Sequence, residues 1–563
     1  MHIGIDVGGT FTDAVLMDKG LVKAVAKIPT SRDLLTSLLQ ALDAVMQGVG
    51  GEQVERVVFS TTLITNMIAE KKYDPVGLIL IPGPGLDIGL FRFPGEVRVV
   101  QGAIDYRGRE IIPLNMEEVD RVADDLAARG YRKVAVVGKF SCRNYLHEKK
   151  VAERIQRRFP EWKLELGHQV AGQLNFPRRV VSTYLTCATR EKYRFFVQSV
   201  QEAIGQRGIR GKIFILKADG GTLPLEGSQE VPMETIFSGP AASTLGVQAL
   251  LPPGETAVVV DIGGTTTDLA LILSGQPLLA SKGAKVDDMF THVRALAVKS
   301  VPVGGDSVVE RVGRDIILYS ERLGPPYCLG GPMPTPTDAL RVLGLTKLGD
   351  PERARQAMNL LGAPLGLSPE GVAERIIRQV VETVVEEIEN MFSSWEQEPA
   401  YRVWEVLQKK KVRPGTVVGV GGGAPGFISQ IAARLGCSPV IPPYAPVANA
   451  IGAAVARPTI QITLRADTEQ GYYTVNEEGF QGQLDDPAFN EEKALNLAKR
   501  WLAWRANRYG LENSVQEVEL LRKEVFNMVR DWVTVGRLID ITIQTPRGIL
   551  YHVGGGRERG VEE

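Results

Sequence analysis

The sequence predicts an α/β protein of two related lobes facing a shared cleft, followed by a small C-terminal α+β region, and three observations predict it. Residues 3–16, IGIDVGGTFTDAVL, recur at 258–271 as VVVDIGGTTTDLAL, identical at seven of fourteen positions. Strand-like apolar runs alternate with helical patterns between and after the two copies, as in sheets covered by helices. The 563 residues exceed what one hydrophobic core usually organises. The predicted units are 1–250, 251–457 and 458–563.

Each copy runs a β-branched apolar segment into Asp, turns at Gly-Gly-Thr and resumes apolar after Thr-Asp, which reads as a strand-turn-strand hairpin. Strands are predicted at VGLILI, KVAVVGKF (133–140), KIFILK (212–217) and TVVGV (416–420). Ser368 and Pro369 supply N-cap and first-turn signals for a helix whose stripe from Val372 through Ile376, Val380 and Val384 to Ile388 is core packing.

Composition narrows the function classes. Lys+Arg 65 against Asp+Glu 66 leaves a net charge of −1, so nothing favours a nucleic-acid or anionic-membrane partner. The four cysteines are scattered and predict buried thiols, not a zinc or iron–sulfur site. The five histidines show no metal-binding spacing, and no GxSxG elbow is present. No apolar stretch reaches a membrane span and no leader pattern precedes HIGIDV, so a cytoplasmic location is the expectation.

DVGGTFTD (6–13) and DIGGTTTD (261–268) carry the strongest chemistry. Polyphosphate needs backbone N–H donors at close approach, which suits Gly8, Gly9, Gly263 and Gly264, while Thr10, Thr12, Thr265 and Thr266 add hydroxyls. Asp6 and Asp261, at the strand ends, suit Mg²⁺ held through its waters. One such turn would be an ordinary hairpin; two with the same spacing predict a paired clamp for ATP·Mg²⁺. A P-loop is excluded by the missing GxxxxGK[ST]. The loop of Gly421, Gly422 and Gly423, between a strand and a helix, is the candidate nucleoside-side element. Thr61, Thr62, Thr65 and Asn66, and Ser238 with Gly239 at a helix start, are either anion or substrate contacts or capping residues.

In order, DVGGTFTD, STTLITN, GKFSCRNYLHE (138–148), ADGGTLP with TIFSGPAAS, DIGGTTTD, PTPTDALRVLG (334–344) and GGGAPG resemble the hydantoinase A/oxoprolinase family over roughly residues 1–457. The resemblance implies two actin-like (ribonuclease H-like) domains flanking a nucleotide cleft. It also implies an ATP-dependent enzyme or enzyme subunit that opens cyclic amides such as hydantoins and 5-oxoproline, or carboxylates ketones, by phosphorylating a carbonyl or enol oxygen, beside a B-type partner subunit and in an oligomer. Carried over by position, Asp6, Gly8, Gly9, Thr10, Thr12 and Asp13 match the first phosphate loop. Asp261, Gly263, Gly264, Thr265, Thr266 and Asp268 match the second, and Gly421, Gly422 and Gly423 the nucleoside loop. Thr61, Thr62, Asn66, Asp219, Gly220, Gly221, Ser238, Gly239 and Pro240 are expected near substrate.

The chain departs from the family at Ser60 and Ala218, and at Ala297 and Lys299, where relatives usually carry Asp-x-His; Asp306 is a candidate replacement. A small-molecule kinase and a nucleotide-gated regulator of a partner protein are the competing readings.

Overall fold

The structure is a computed structural model that describes residues 1–31, 33–397 and 413–554. Residues 555–563 of the predicted C-terminal unit lie outside it.

The duplicated segments head two sheets of matching plan. In the first, the strands run in the order Thr222–Pro224, Lys212–Leu216, Arg56–Thr61, His2–Val7, Phe11–Asp18, Leu21–Pro29. His2–Val7 pairs antiparallel with the strand after the turn and parallel with Arg56–Thr61. In the second, Gln276–Pro277, Thr267–Leu273, Ala257–Ile262, Thr416–Val420 and Ser438–Val440 follow one another, with Val298–Val301 added on Thr267–Leu273. Ala257–Ile262 again pairs antiparallel with the strand after its turn and parallel with a strand distant in sequence. The registers coincide, Asp6 standing opposite Asp13 and Asp261 opposite Asp268. Parallel pairing buries both strand faces, which is why Val258, Val259 and Val260 form an unbroken apolar run and all three are buried.

The predicted strands at VGLILI (Val76–Ile81) and KVAVVGKF (Lys133–Gly138) are present, but they belong to a separate, all-parallel sheet with Glu96–Val99 and Lys163–Leu166. The predicted helix spans Pro369–Gln397 and buries its i, i+4 stripe. The C-terminal region is α+β: a five-stranded sheet whose Ile539, Ile541 and Ile543 pack on Ala494, Ala498 and Leu502 of the helix Glu491–Arg508.

Two helices join the halves. Ser238–Leu250 crosses Ala448–Val455 so closely that a Cβ on Gly246 would stand 1.9 Å from the Ala448 carbonyl oxygen, and one on Gly452 1.9 Å from that of Ala242. Only glycine permits such backbone contact. Ala448–Val455 also lies on the first sheet, with Ile451 and Ala454 buried against Val15 and Met17. The four cysteines are free thiols, three of them buried. Among the described residues no helix is long and apolar enough to cross a membrane.

Candidate active site

Each hairpin turn is closed by its own backbone: Gly8 N–H donates to Phe11 O at 3.1 Å and Gly263 N–H to Thr266 O at 3.0 Å. A Cβ at Gly9 would meet no atom within 4 Å, so that peptide stands open to a ligand. At Gly264 a Cβ would lie 2.6 Å from Asp306 Oδ2, since the loop Gly304–Asp306 folds onto the second turn, with Asp306 N–H donating to Gly264 O at 2.7 Å.

Two contacts bring the turns together. The helix Ser238–Leu250 starts beside Asp6, the Cβ position of Gly239 lying 3.9 Å from Asp6 Oδ1. One helical turn later, Ser243 Oγ donates to Asp261 Oδ2 at 2.5 Å. Positions four apart share a helix face, so one face of this helix meets both aspartates. Arg322 makes the second link: its Nη1 donates to Thr10 Oγ1 at 3.2 Å, and its Nε lies 3.1 Å from Asp306 Oδ2. A guanidinium between two phosphate-type turns is suited to a phosphate oxygen. The third glycine loop joins the second turn: Gly421, at φ +81°, would place a Cβ 2.4 Å from Asp261 Oδ1, and Gly423 N–H donates to Ile262 O at 3.0 Å. Gly422 is open.

The electrostatics are those of an acid cluster short of cations. Burial pushes the Asp6 carboxyl up to about 7, with the charges of Asp13 and Asp261 adding to the effect. Burial raises Asp268 to about 7, helped by Asp261, and raises Asp261 against the opposing Ser243 hydrogen bond. Asp13 is raised by burial although Lys27 Nζ sits 2.7 Å away. Of these four carboxylates only Asp13 has an ion-pair partner among the described residues. Asn449 Nδ2 donates to Asp6 Oδ2 at 2.7 Å, while Asp6 Oδ1 is buried without a partner. A divalent cation would relieve this arrangement. Among the described residues no three His, Cys, Asp or Glu side chains converge to hold one directly.

The residues expected near substrate divide into two groups. Ser238 Oγ donates to Thr61 O at 3.0 Å and accepts from Thr61 N–H at 3.2 Å; Thr61 Oγ1 accepts from Leu63 N–H, and Thr65 Oγ1 from Phe237 N–H at 3.2 Å. Thr62 Oγ1 donates to Val7 O and accepts from Asn66 Nδ2 at 3.2 Å. These side chains fasten the start of the helix to the end of the first sheet, so they aim the Gly239 peptide at Asp6. Asp219 and Gly220 lie elsewhere. Asp219 lines a cavity to which no hairpin residue contributes, and Gly220, at φ +82°, packs toward Leu245. Lys299, whose strand pairs with the second hairpin beside Asp268, turns its ammonium to Glu387 at 3.3 Å, whereas Asp306 sits against the second turn.

Sequence reasoning did not find Ser243, Arg322 or Asn449. Ser243 closes the FSGPAAS motif at helical spacing from Gly239, a usable signal; Asn449 meets Asp6 across 443 positions and Arg322 meets Thr10 across 312, beyond any local pattern.

Fold and site together define an α/β architecture of two sheets of matching plan, each carrying a phosphate-type turn. The chain belongs to the hydantoinase/oxoprolinase family: the Hydantoinase/oxoprolinase description matches residues 179–462 and that of the N-terminal region residues 2–159. It is similar to the acetophenone carboxylase gamma subunit of Aromatoleum aromaticum, 26% identical over 390 residues that cover 61% of this chain and 53% of that one. It is also similar to the caprolactamase subunit alpha of Pseudomonas jessenii, 25% identical over 78% of this chain and 68% of the other. The solved structure of nucleotide-free acetone carboxylase superposes with a TM-score of 0.75 at 19% identity, covering 100% of this chain and 89% of its own. That of the Pseudomonas jessenii ATP-dependent caprolactamase gives 0.72 at 20%, covering 97% and 87%.

Proposed function

We propose that this protein is an ATP-dependent enzyme subunit that opens a cyclic amide or carboxylates a ketone, with its two hairpin turns gripping the triphosphate and Asp6 and Asp261 holding Mg²⁺ through water. The observation that carries the reading is that one helix face meets both Asp6 and Asp261, the residues from which the two turns lead, with burial raising both carboxyls. The relatives support the chemistry, since one is named a lactamase and the others ketone carboxylases.

Bound ATP would supply a phosphoryl group to the oxygen of an amide carbonyl, making its carbon a better electrophile for water, or to an enol oxygen, holding a ketone in its nucleophilic enol form. The chain's own work is positioning and charge. The peptides of Gly9, Gly239 and Gly422 offer uncrowded backbone, Thr10 and Arg322 add donors, and Asn449 holds one oxygen of Asp6, leaving the other, which has no partner among the described residues, to meet a cation if one were bound. Donors fixed before the reaction stabilise developing phosphoryl charge without reorganisation. A B-type partner subunit belongs to this reading, because the relatives are named as subunits.

The test is ATP hydrolysis by the purified chain, with and without a B-type partner, against cyclic amides and against ketones plus bicarbonate. Substrate-stimulated release of phosphate with no stable phosphorylated product is the expected result. Asp261→Asn keeps the Ser243 contact and should lower turnover by about 10²-fold or more; undiminished turnover removes the assignment. A stable phosphorylated metabolite would instead identify a kinase.

A further inference from the structure

A cavity lies at the opposite end of the helix Ser238–Leu250 from Asp6, walled by Gln248, by the turns 252–255 and 274–276 of the second sheet, and by the segment 547–552. That segment is laid along the chain leaving the helix Ala448–Val455, with Arg457 N–H donating to Gly548 O at 3.0 Å and Leu550 N–H to Val455 O at 2.7 Å. The pairing brings Arg457 and Arg547 to the same wall. Arg457 is also aimed: its Nε donates to Ile549 O at 2.8 Å, which fixes the plane of the guanidinium and leaves the donors of both Nη groups for a ligand.

Neither arginine has a carboxylate within ion-pair distance among the described residues, and there the Arg547 side chain makes no hydrogen bond at all. Burial and the charge of Arg294 pull the Arg547 guanidinium below its usual range, while Asp219 and Glu519 oppose this from beyond ion-pair distance. The wall carries a single carboxylate, Glu255, which is exposed and pairs with neither arginine. The carbonyl end of the helix would disfavour an anion, but Leu251 O is engaged by His552, whose Nδ1 donates to it at 3.1 Å. Two half-buried guanidinium groups against one exposed carboxylate leave positive charge that this wall does not offset. Keeping such charge half-buried without a partner is costly, and a bound anion would remove that cost.

We propose that this cavity binds an oxyanion of the phosphate type, held by the Nη groups of Arg457 and Arg547. Guanidinium groups meet phosphate oxygens through paired N–H donors, and two of them match a dianion better than a monocarboxylate. Free phosphate and a phosphate monoester share this chemistry. Neither Gly-Gly-Thr turn contributes to the cavity, and no turnover is required, so the proposal stands or falls apart from the proposed activity.

His552 is one of five histidines and lines the cavity, so its ring signal reports on this place alone. The test is an NMR titration of the whole chain, labelled at its histidine rings, with inorganic phosphate, methyl phosphate and acetate at fixed pH and ionic strength; the signal missing from His552→Gln assigns the reporter. A saturable shift of the His552 signal is expected with either phosphate compound, at an affinity about tenfold or more above that of acetate. The tighter of the two compounds tells whether free phosphate or a monoester is the fitting ligand. Arg547→Gln and Arg457→Gln should each weaken phosphate about tenfold, while Arg547→Lys retains part of the affinity. Phosphate taken up at the hairpin turns would leave the His552 signal in place. An unmoved His552 signal, or one that acetate moves equally well, overturns the proposal on the unaltered chain and needs no variant to fold. Phosphate affinity unchanged in a folded Arg547→Gln protein overturns it as well.

Discussion

Asp6 concentrates the physical problem of this site in one side chain. Its folded pKa of about 7 stands above the ordinary 3.8, so the folded state holds its proton more tightly than the unfolded chain does. Stability associated with Asp6 is therefore complete below about pH 4 and is lost as pH rises through 7. Asp268, also raised to about 7, acts in the same direction. A bound cation reverses the sign by favouring the carboxylate. Mg²⁺ with a non-hydrolysable ATP analogue should raise Tm more at pH 8 than at pH 6, and Asp6→Asn should flatten that difference. A Tm gain independent of pH in the unaltered protein would show that the cation does not meet these carboxylates.

Arg322 belongs to the same scale, since one guanidinium joins Thr10 to Asp306. Arg322→Ala should raise the KM for ATP about tenfold through loss of one charge-assisted contact, with Tm changed by only a few degrees because Arg322 is a partly exposed residue. An unchanged KM would confine Arg322 to holding the loop.

Among the elements, GKFSCRNYLHE shows how a recognised motif can be structural. Glu148 is fully buried; one oxygen accepts from Gly138 N–H at 2.8 Å, the other from His168 N–H at 2.9 Å and from its ring Nδ1. Although burial pushes its carboxyl up, these donors hold it below its ordinary range. Its stabilising effect is thus present above about pH 4.5 and is lost as pH falls through the folded pKa. Glu148→Gln should destabilise by ~3 kcal/mol, the scale of breaking a buried pair, read as a lower urea midpoint. A loss under ~1 kcal/mol would deny it that role.

The crossing of Ser238–Leu250 with Ala448–Val455 is the second element-level test. At Gly452 an added Cβ would strike the Ala242 backbone, so Gly452→Val should cost more than ~3 kcal/mol, beyond ordinary overpacking because backbone must move. A well-folded variant would mean that the two helices do not set the separation of the aspartates.

What sequence reveals divides along these same elements. The hairpins, the strands at 133–140, 212–217 and 416–420, and the 369–397 helix were legible because each is a local pattern of period, turn residue or cap. The all-parallel sheet of Val76–Ile81 and Lys133–Gly138 was not, because pairing partners more than fifty residues apart leave no local trace. Asp6 and Asp261 were found by repetition, yet the side chains that orient them, Asn449 and Ser243, carry no repeat. Thr61, Thr62, Asn66 and Ser238 were legible as polar residues where polarity needed a reason; the reason includes backbone hydrogen bonding that only the assembled sheet and helix reveal.

At the scale of the whole molecule, duplication places two equivalent turns on two sheets, and one helix face together with one arginine sets them against each other. The three-unit division 1–250, 251–457 and 458–563 is proposed with the function, and the return of Ala448–Val455 onto the first sheet ties the second segment to the first. The chain spans 53% of the acetophenone carboxylase gamma subunit, and its partner and substrate follow from the proposal rather than from the likeness. The most direct test of the central claim is a crystal structure of the chain with Mg²⁺ and a non-hydrolysable ATP analogue. The account predicts the phosphates between the Gly8–Thr10 and Gly263–Thr265 turns, with magnesium water-bridged to Asp6 and Asp261. A nucleotide contacting one turn alone, or bound elsewhere, would contradict it.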